Sequence, residues 1–151
     1  MNKDTIINVE KQHYAHDFRD LFWCEKYRPK VLSEYIFHDQ HQRMKMEEMI
    51  QKEEFPHILM SGVQGAGKTT AALILINELN INDNDVLTIN ASDENSVEVI
   101  RDRIKKFASS APLGNFKVIL LEEADYISLN GQGALRRIME EFAETTRFIL
   151  T

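Results

Sequence analysis

One stretch decides the reading of this chain: Ser61-Gly62-Val63-Gln64-Gly65-Ala66-Gly67-Lys68-Thr69-Thr70. Gly62, Gly67, Lys68 and Thr69 stand in the spacing Gly-x-x-x-x-Gly-Lys-Thr, the pattern of a phosphate-binding loop. Glycines let the backbone turn sharply and approach an anion closely, because they carry no Cβ. The loop N–H groups and the N-terminus of the following helix then face the phosphates. Lys68 adds a point charge, and the Thr69 hydroxyl is a hard-oxygen ligand suited to magnesium. The flanks agree. His57-Ile58-Leu59-Met60 reads as a buried parallel strand, and Ala71 to Ile76 is an apolar helix start. Strand, glycine loop and helix together predict a parallel α/β domain with helices on both faces.

Downstream, Val86-Leu87-Thr88-Ile89 predicts a second strand ending at Asn90. Ala91-Ser92-Asp93-Glu94 carries capping oxygens for a helix that runs to about Phe107. Val97, Ile100, Ile104 and Phe107 recur at helical spacing on one face. Arg101, Arg103, Lys105 and Lys106 make that helix basic, which fits either a solvated face or a local anion-binding patch. Pro112 and Gly114 mark a loop. Residues 117–121 predict a third strand, which runs directly into Glu122-Glu123-Ala124-Asp125. Carboxylates at the C-terminal end of an apolar strand, on a strand neighbouring the glycine loop, suit magnesium binding and activation of a water. The plain alternative is that the acids cap the next helix. That helix is expected over residues 132–142, with Leu135, Ile138, Met139 and Phe142 inward and Arg136 and Arg137 outward. A fourth strand is expected over 147–150.

Upstream, residues 1–22 form a polar arm without a firm period, in which His13 and His16 share a helical spacing but lack the partners of a metal site. Trp23-Cys24-Glu25-Lys26-Tyr27-Arg28-Pro29 predicts an extended segment, because proline fixes its own φ and restricts the residue before it. Its aromatics either line a base pocket or pack on the core, and composition favours the core. Residues 39–54 predict a helix with Met44, Met46, Met49 and Ile50 on its apolar side.

Length allows one domain, and the hydrophobic fraction of 43% is ordinary for a globular chain. A net charge of −6 gives no general attraction to nucleic acid, so contact with DNA would need a local basic patch. The single cysteine, Cys24, excludes an internal disulfide and points to a reducing compartment. No run is long and apolar enough to span a membrane, and no signal peptide is evident. The expectation is a soluble cytoplasmic protein, in the host-cell cytoplasm if viral or the nucleus if eukaryotic.

From Trp23 to Thr151 the sequence resembles the sliding-clamp-loader branch of the AAA+ ATPases. The resemblance rests on Glu25-Lys26-Tyr27-Arg28-Pro29, on the phosphate loop, and on Asn90-Ala91-Ser92-Asp93-Glu94 with Arg101. It continues through Lys105-Lys106-Phe107-Ala108, Glu123-Ala124-Asp125, Ala134-Leu135-Arg136-Arg137, Met139-Glu140 and Thr145-Thr146-Arg147-Phe148. From Asn90 onward these motifs match those of the small subunits of replication factor C. The polar arm and low pI suggest a viral or bacteriophage homologue.

The resemblance implies ATP and Mg2+ as cofactors. It places Cys24, Glu25, Lys26, Tyr27 and Ile36 around the adenine, and Gly62 with Gly65, Ala66, Gly67, Lys68, Thr69 and Thr70 around the phosphates. Thr69 and Glu122 would serve the metal. Glu123 would activate water, Lys68 would act on the transferred phosphoryl, and Asn90 would restrain the catalytic glutamate. Gln132 and Arg136 would lie on a helix that couples neighbouring nucleotide sites. Ile104, Phe107 and the loop to Leu113 would touch the clamp, and the start of the 95–106 helix would lie near the primer–template duplex. The implied partners are other loader subunits in a hetero-oligomeric ring, a sliding clamp and primer–template DNA, with no membrane.

Two departures stand out. Glu122-Glu123 replaces the family's Asp-Glu, which predicts weaker metal binding or slower turnover. The chain also ends before the family's sensor asparagine, last strand, lid and collar, which predicts an incomplete nucleotide-binding domain over 23–151 whose first strand has an open edge. Two competing readings are another AAA+ motor, such as a branch-migration helicase, and a nucleotide-gated scaffold subunit without turnover. Glu25 to Pro29 and Asn90 to Glu94 argue against the helicase.

Overall fold

A computed structural model describes residues 22–92 and 97–151. The polar arm through residue 21, with His13 and His16, lies outside them, as do the expected caps Asp93 and Glu94.

The centre is a parallel sheet of β1 (Ile58–Leu59), β2 (Val86–Asn90), β3 (Lys117–Glu122) and β4 (Thr146–Leu150), in the order β1-β4-β3-β2. β3 is central and apolar on both sides, as a strand covered by helices must be. Val118 and Leu120 alternate with Ile119 and Leu121, and all four are fully buried. The first pair joins Met46, Phe55, Ala71, Ala72, Leu75, Ile76, Phe116 and Ile149 on one face. The second joins Ile89, Ile100, Ile104, Leu135, Ile138 and Phe148 on the other. Burying each such large side chain contributes about 1.5–3 kcal/mol, so these two layers hold the domain together.

The helices follow from local chemistry. α1 is a single turn, Trp23–Lys26. α2 (Gln40–Gln51) starts on Asp39, whose carboxylate accepts from the Gln42 N–H at 2.9 Å. α3 (Lys68–Glu78) buries Ala71, Ala72, Ile74, Leu75 and Ile76, and the left-handed Asn80 follows its end. α4 (Val97–Ala108) buries Ile100, Ile104 and Ala108. α5 (Leu129–Glu141) starts on Ser128, whose hydroxyl accepts from the Gly131 N–H at 3.3 Å.

Four expectations need correction. The segment from Trp23 is a helical turn rather than extended, and its aromatics do not pack on the core: Trp23 is 80% exposed and Tyr27 69%. The two rings meet edge to face at 6.3 Å but leave most of their apolar area in solvent. Met44 is exposed, and only Met46 of the α2 methionines is fully buried. β1 is a two-residue edge strand rather than a buried one, and Leu59 is exposed. The acid-bearing β3 is not beside β1; β4 lies between them.

Candidate functional site

The glycine loop joins β1 to α3. Gly65 and Gly67 have φ of +78° and +84°, values that a side chain disfavours. Gly67 also leaves room for Tyr35, whose hydroxyl donates to the Gly67 carbonyl at 3.4 Å; burial raises the Tyr35 pKa above its usual 10.0. The Lys68 ammonium folds back over the loop and donates to the carbonyls of Gly62 at 3.0 Å and Val63 at 3.1 Å. A cation is thereby held over a curl of backbone that opens on the first turn of α3.

A strap of residues 22–37 is tied along α3. Arg28 pairs with Glu25 and reaches the Thr70 hydroxyl at 3.5 Å. The Asn77 amide donates to the Lys30 carbonyl at 3.0 Å, and the Leu32 N–H donates to Glu78 at 2.8 Å. These ties bring Cys24 and Tyr27 to the mouth of the loop. On the opposite side the chain leaves β3 through Glu123, a left-handed residue at φ +53°, ψ +44°. A non-glycine there costs about 1–2 kcal/mol. Two strand-like bonds fix the bend: Ala124 N–H to Thr151 O and Thr151 N–H to Leu121 O, each 2.9 Å.

Between strap and bend lies a cleft of about 660 Å³. Of the expected residues, Cys24, Tyr27, Gly62, Gly65, Gly67, Lys68, Thr69, Thr70 and Glu123 line it. The others do not. Glu25 is engaged with Arg28, Lys26 lies over the Tyr27 ring at 5.8 Å, and Ile36 is 92% exposed. Ala66 is exposed on the loop. Glu122 sits at the end of β3 in register with Asn90, whose side chain accepts from the N–H and hydroxyl of Ser92 at 2.9 and 2.8 Å. Sequence reasoning gave no role to Arg28, Asp125, Tyr126 or Thr151, which also line the cleft. Asp125 had a signal, as the third acid of its run.

A larger groove of about 900 Å³ follows the open edge of β1, past Leu59, Leu135, Met139 and Leu150 to Gln132 and Arg136. It shares Gly62, Lys68, Asp125 and Thr151 with the cleft. Its lining is mainly apolar, and the glycine turns at Gly65 and Gly67 belong to the smaller cleft, which is where phosphate chemistry fits. Among the described residues no group of three or more His, Cys, Asp or Glu side chains is placed to hold a metal. A magnesium ion at Thr69 would therefore depend on phosphate and water oxygens, the usual habit of that ion. Among the described residues no helix is long and apolar enough to cross a membrane.

Comparison with known proteins agrees with this geometry. The chain is 44% identical over 135 residues to replication factor C small subunit 2 of Pyrobaculum islandicum, covering 87% of this chain and 42% of that protein. It is 45% identical over 135 residues to the replication factor C small subunit of Sulfolobus acidocaldarius, covering 87% and 41%. The chain thus spans about two-fifths of the length of these relatives. In fold it is similar to a RuvB P216G mutant of Thermotoga maritima, with a TM-score of 0.62 and 21% identity over 82% of this chain and 42% of that one. The family described as "ATPase family associated with various cellular activities (AAA)" matches residues 58–151. With more than half its length matched, and with the glycine loop and Glu123, just after β3, lining one cleft, the chain belongs to the AAA family of ATPases.

Proposed function

We propose that this chain is the ATP-binding part of a clamp-loader subunit, which uses ATP to open a ring clamp and place it on primed DNA. The observation that carries the reading is the convergence of Lys68, Thr69 and Glu123 on one cleft, together with the likeness to replication factor C small subunits.

The cleft has the size of a nucleotide site. The loop N–H groups and the α3 N-terminus bind the phosphates. Lys68 leaves the Gly62 and Val63 carbonyls for the β- and γ-phosphates. Thr69 and Glu122 would hold Mg2+, Glu122 through water, and a bound ion would supply charge neutralisation for the phosphates. Glu123, which lines the cleft, accepts a proton from the attacking water. Cys24 and Tyr27 border the base, with Glu25 and Lys26 supporting them from the strap; Ile36 borders it only if the strap closes further. Ala66 contributes backbone alone, and Asn90 restrains the acidic turn.

The partners are other loader subunits in a hetero-oligomeric ring, the sliding clamp and primer–template DNA. Ile104 is completely buried and is removed from the clamp-contacting set. The half-buried Phe107 and the exposed loop to Leu113 remain. Exposed Arg101, Lys105 and Lys106 on α4 give a sequence-blind, salt-sensitive contact to the duplex. ATP hydrolysis, measured on the protein assembled with its partner subunits, tests the reading. Clamp and primed DNA together should stimulate it, and Lys68→Ala should abolish it. Nucleotide binding without stimulated turnover would favour the scaffold reading.

A further inference from the structure

The glycine loop is carried by the shortest strand of the sheet. β1 pairs over two residues, Ile58 with Ile149 and Leu59 with Leu150, and β4 is its one neighbour among the described residues. A further bond runs from the Met60 N–H to the Leu150 carbonyl at 2.8 Å. At the entry to β1, where the strand pairing has not begun, the side chain of His57 takes over. Its Nδ1 accepts from the Phe148 N–H at 3.2 Å, and a hydrogen bond to the Met139 backbone joins the same side chain to α5. The imidazole also meets the Phe148 ring edge to face at 5.4 Å. One side chain thus ties the start of β1 to the strand beside it and to a helix packed on the sheet. The loop begins at Ser61, four residues on, about 13 Å of extended chain.

The tie depends on the charge of the ring. Nδ1 accepts a hydrogen bond only in neutral imidazole; the protonated ring donates from both nitrogens. Phe148 is fully buried, so its N–H has no ready substitute for that acceptor. The charged groups around His57 are mixed in sign. Arg147 on β4 pairs with Glu54 at 3.1 Å. Lys52 and Glu54, from the segment before β1, line a small groove with His57. Arg136 and Glu140 of α5 line the large groove with it, as do Lys68 and Asp125 where that groove meets the cleft. Burial and Arg147 hold the ring below its ordinary 6.5, so the neutral form is the native one.

We propose that His57 is a positioning residue for the nucleotide cleft: its neutral ring fixes β1 against β4 and α5 and so holds the glycine loop in place, and protonation of the ring loosens that hold and weakens nucleotide binding. This rests on the reading of the cleft as an ATP site. The sign of the effect separates it from simple electrostatics. An added positive charge would tighten an anionic ligand as pH falls; release of β1 weakens it.

The test is nucleotide affinity of the full-length protein, by fluorescence titration with a labelled, slowly hydrolysed ATP analogue, from about pH 7.5 down to about pH 5. The unaltered protein should lose affinity as pH falls below 6.5, about three- to tenfold in all, the size expected for one hydrogen bond. His57→Asn offers a non-titrating amide oxygen where Nδ1 stood. It should match the unaltered protein at the high end and lose less on acidification; protonation of the ligand is common to both proteins and cancels in the comparison. His57→Leu lacks the acceptor, and should bind at every pH about as weakly as the unaltered protein does at the low end. Circular dichroism at each pH confines the comparison to folded protein. A loss in His57→Asn as steep as in the unaltered protein would overturn the inference alone, and so would full affinity in His57→Leu at the high end. Failure of the unaltered protein to bind the analogue at the high end would overturn the ATP-site reading and the inference with it.

Discussion

Replacing Gly67 by alanine separates two costs that the loop imposes. The first is backbone strain. Gly67 has φ +84°, and an alanine held there loses about 1–2 kcal/mol relative to glycine. The second is contact. A Cβ on Gly67 would lie 3.1 Å from the Tyr35 hydroxyl oxygen and 3.3 Å from the ring carbon Cε2. Tyr35 is not free to retreat, because its ring packs edge-on against Phe37 at 4.8 Å. Overpacking of this kind adds about 1 kcal/mol. Gly65 is the control: its φ is +78° but a Cβ there meets nothing within 4 Å. Gly67→Ala should therefore cost about 2–3 kcal/mol and Gly65→Ala about 1–2 kcal/mol. Urea unfolding reads the difference directly. In a Tyr35→Phe background, which removes the nearest atom, the Gly67→Ala cost should fall toward that of Gly65→Ala. Equal costs for the two glycines in the unaltered background would refute the claim that Tyr35 is built against the loop.

Thr146 is fully buried and its hydroxyl has no hydrogen-bond partner among the described residues, so Thr146→Val should raise stability by about 1 kcal/mol in urea unfolding. His57 accepts from the Phe148 N–H at 3.2 Å and is held below its ordinary pKa of 6.5, chiefly by burial and also by Arg147, with a hydrogen bond to the Met139 backbone opposing. The fold thus favours neutral His57. Its contribution is intact above 6.5 and is lost as pH falls through the depressed value, so the urea midpoint should fall on acidification and fall less in His57→Gln. Glu123→Gln should keep ATP affinity and lower kcat about 10²–10⁴-fold in single-turnover assays. Glu122→Asp should tighten magnesium binding or speed turnover in a metal titration, because the shorter carboxylate restores the family's acid; no gain in either would remove Glu122 as the cause of weaker metal use.

The glycine loop, both apolar layers and the parallel sheet were legible because their signals are local. Gly62, Gly67 and Lys68 state their own geometry, and the alternation along residues 117–121 needs burial on two faces. Strand order was not legible: nothing in residues 58–59 says that β4 rather than β3 lies beside them. The strap failed for a related reason. Pro29 gives no sign of the helical turn before it, beside which Arg28 reaches Thr70, 42 positions away. The burial of Asp85 was not legible, because its partners are the Leu113 and Gly114 N–H groups, 28 and 29 positions away. Cys24 and Tyr27 line the cleft, whereas Ile36 and Glu122 do not.

The central claim is most directly tested by clamp loading itself. The assembled protein is mixed with ATP, its ring clamp and a primed circular DNA, and the DNA is then separated from free protein. The account predicts that the clamp stays on the circle with the unaltered chain and does not with Lys68→Ala. ATP turnover without any clamp retained on primed DNA would contradict it and make the chain a motor of another kind.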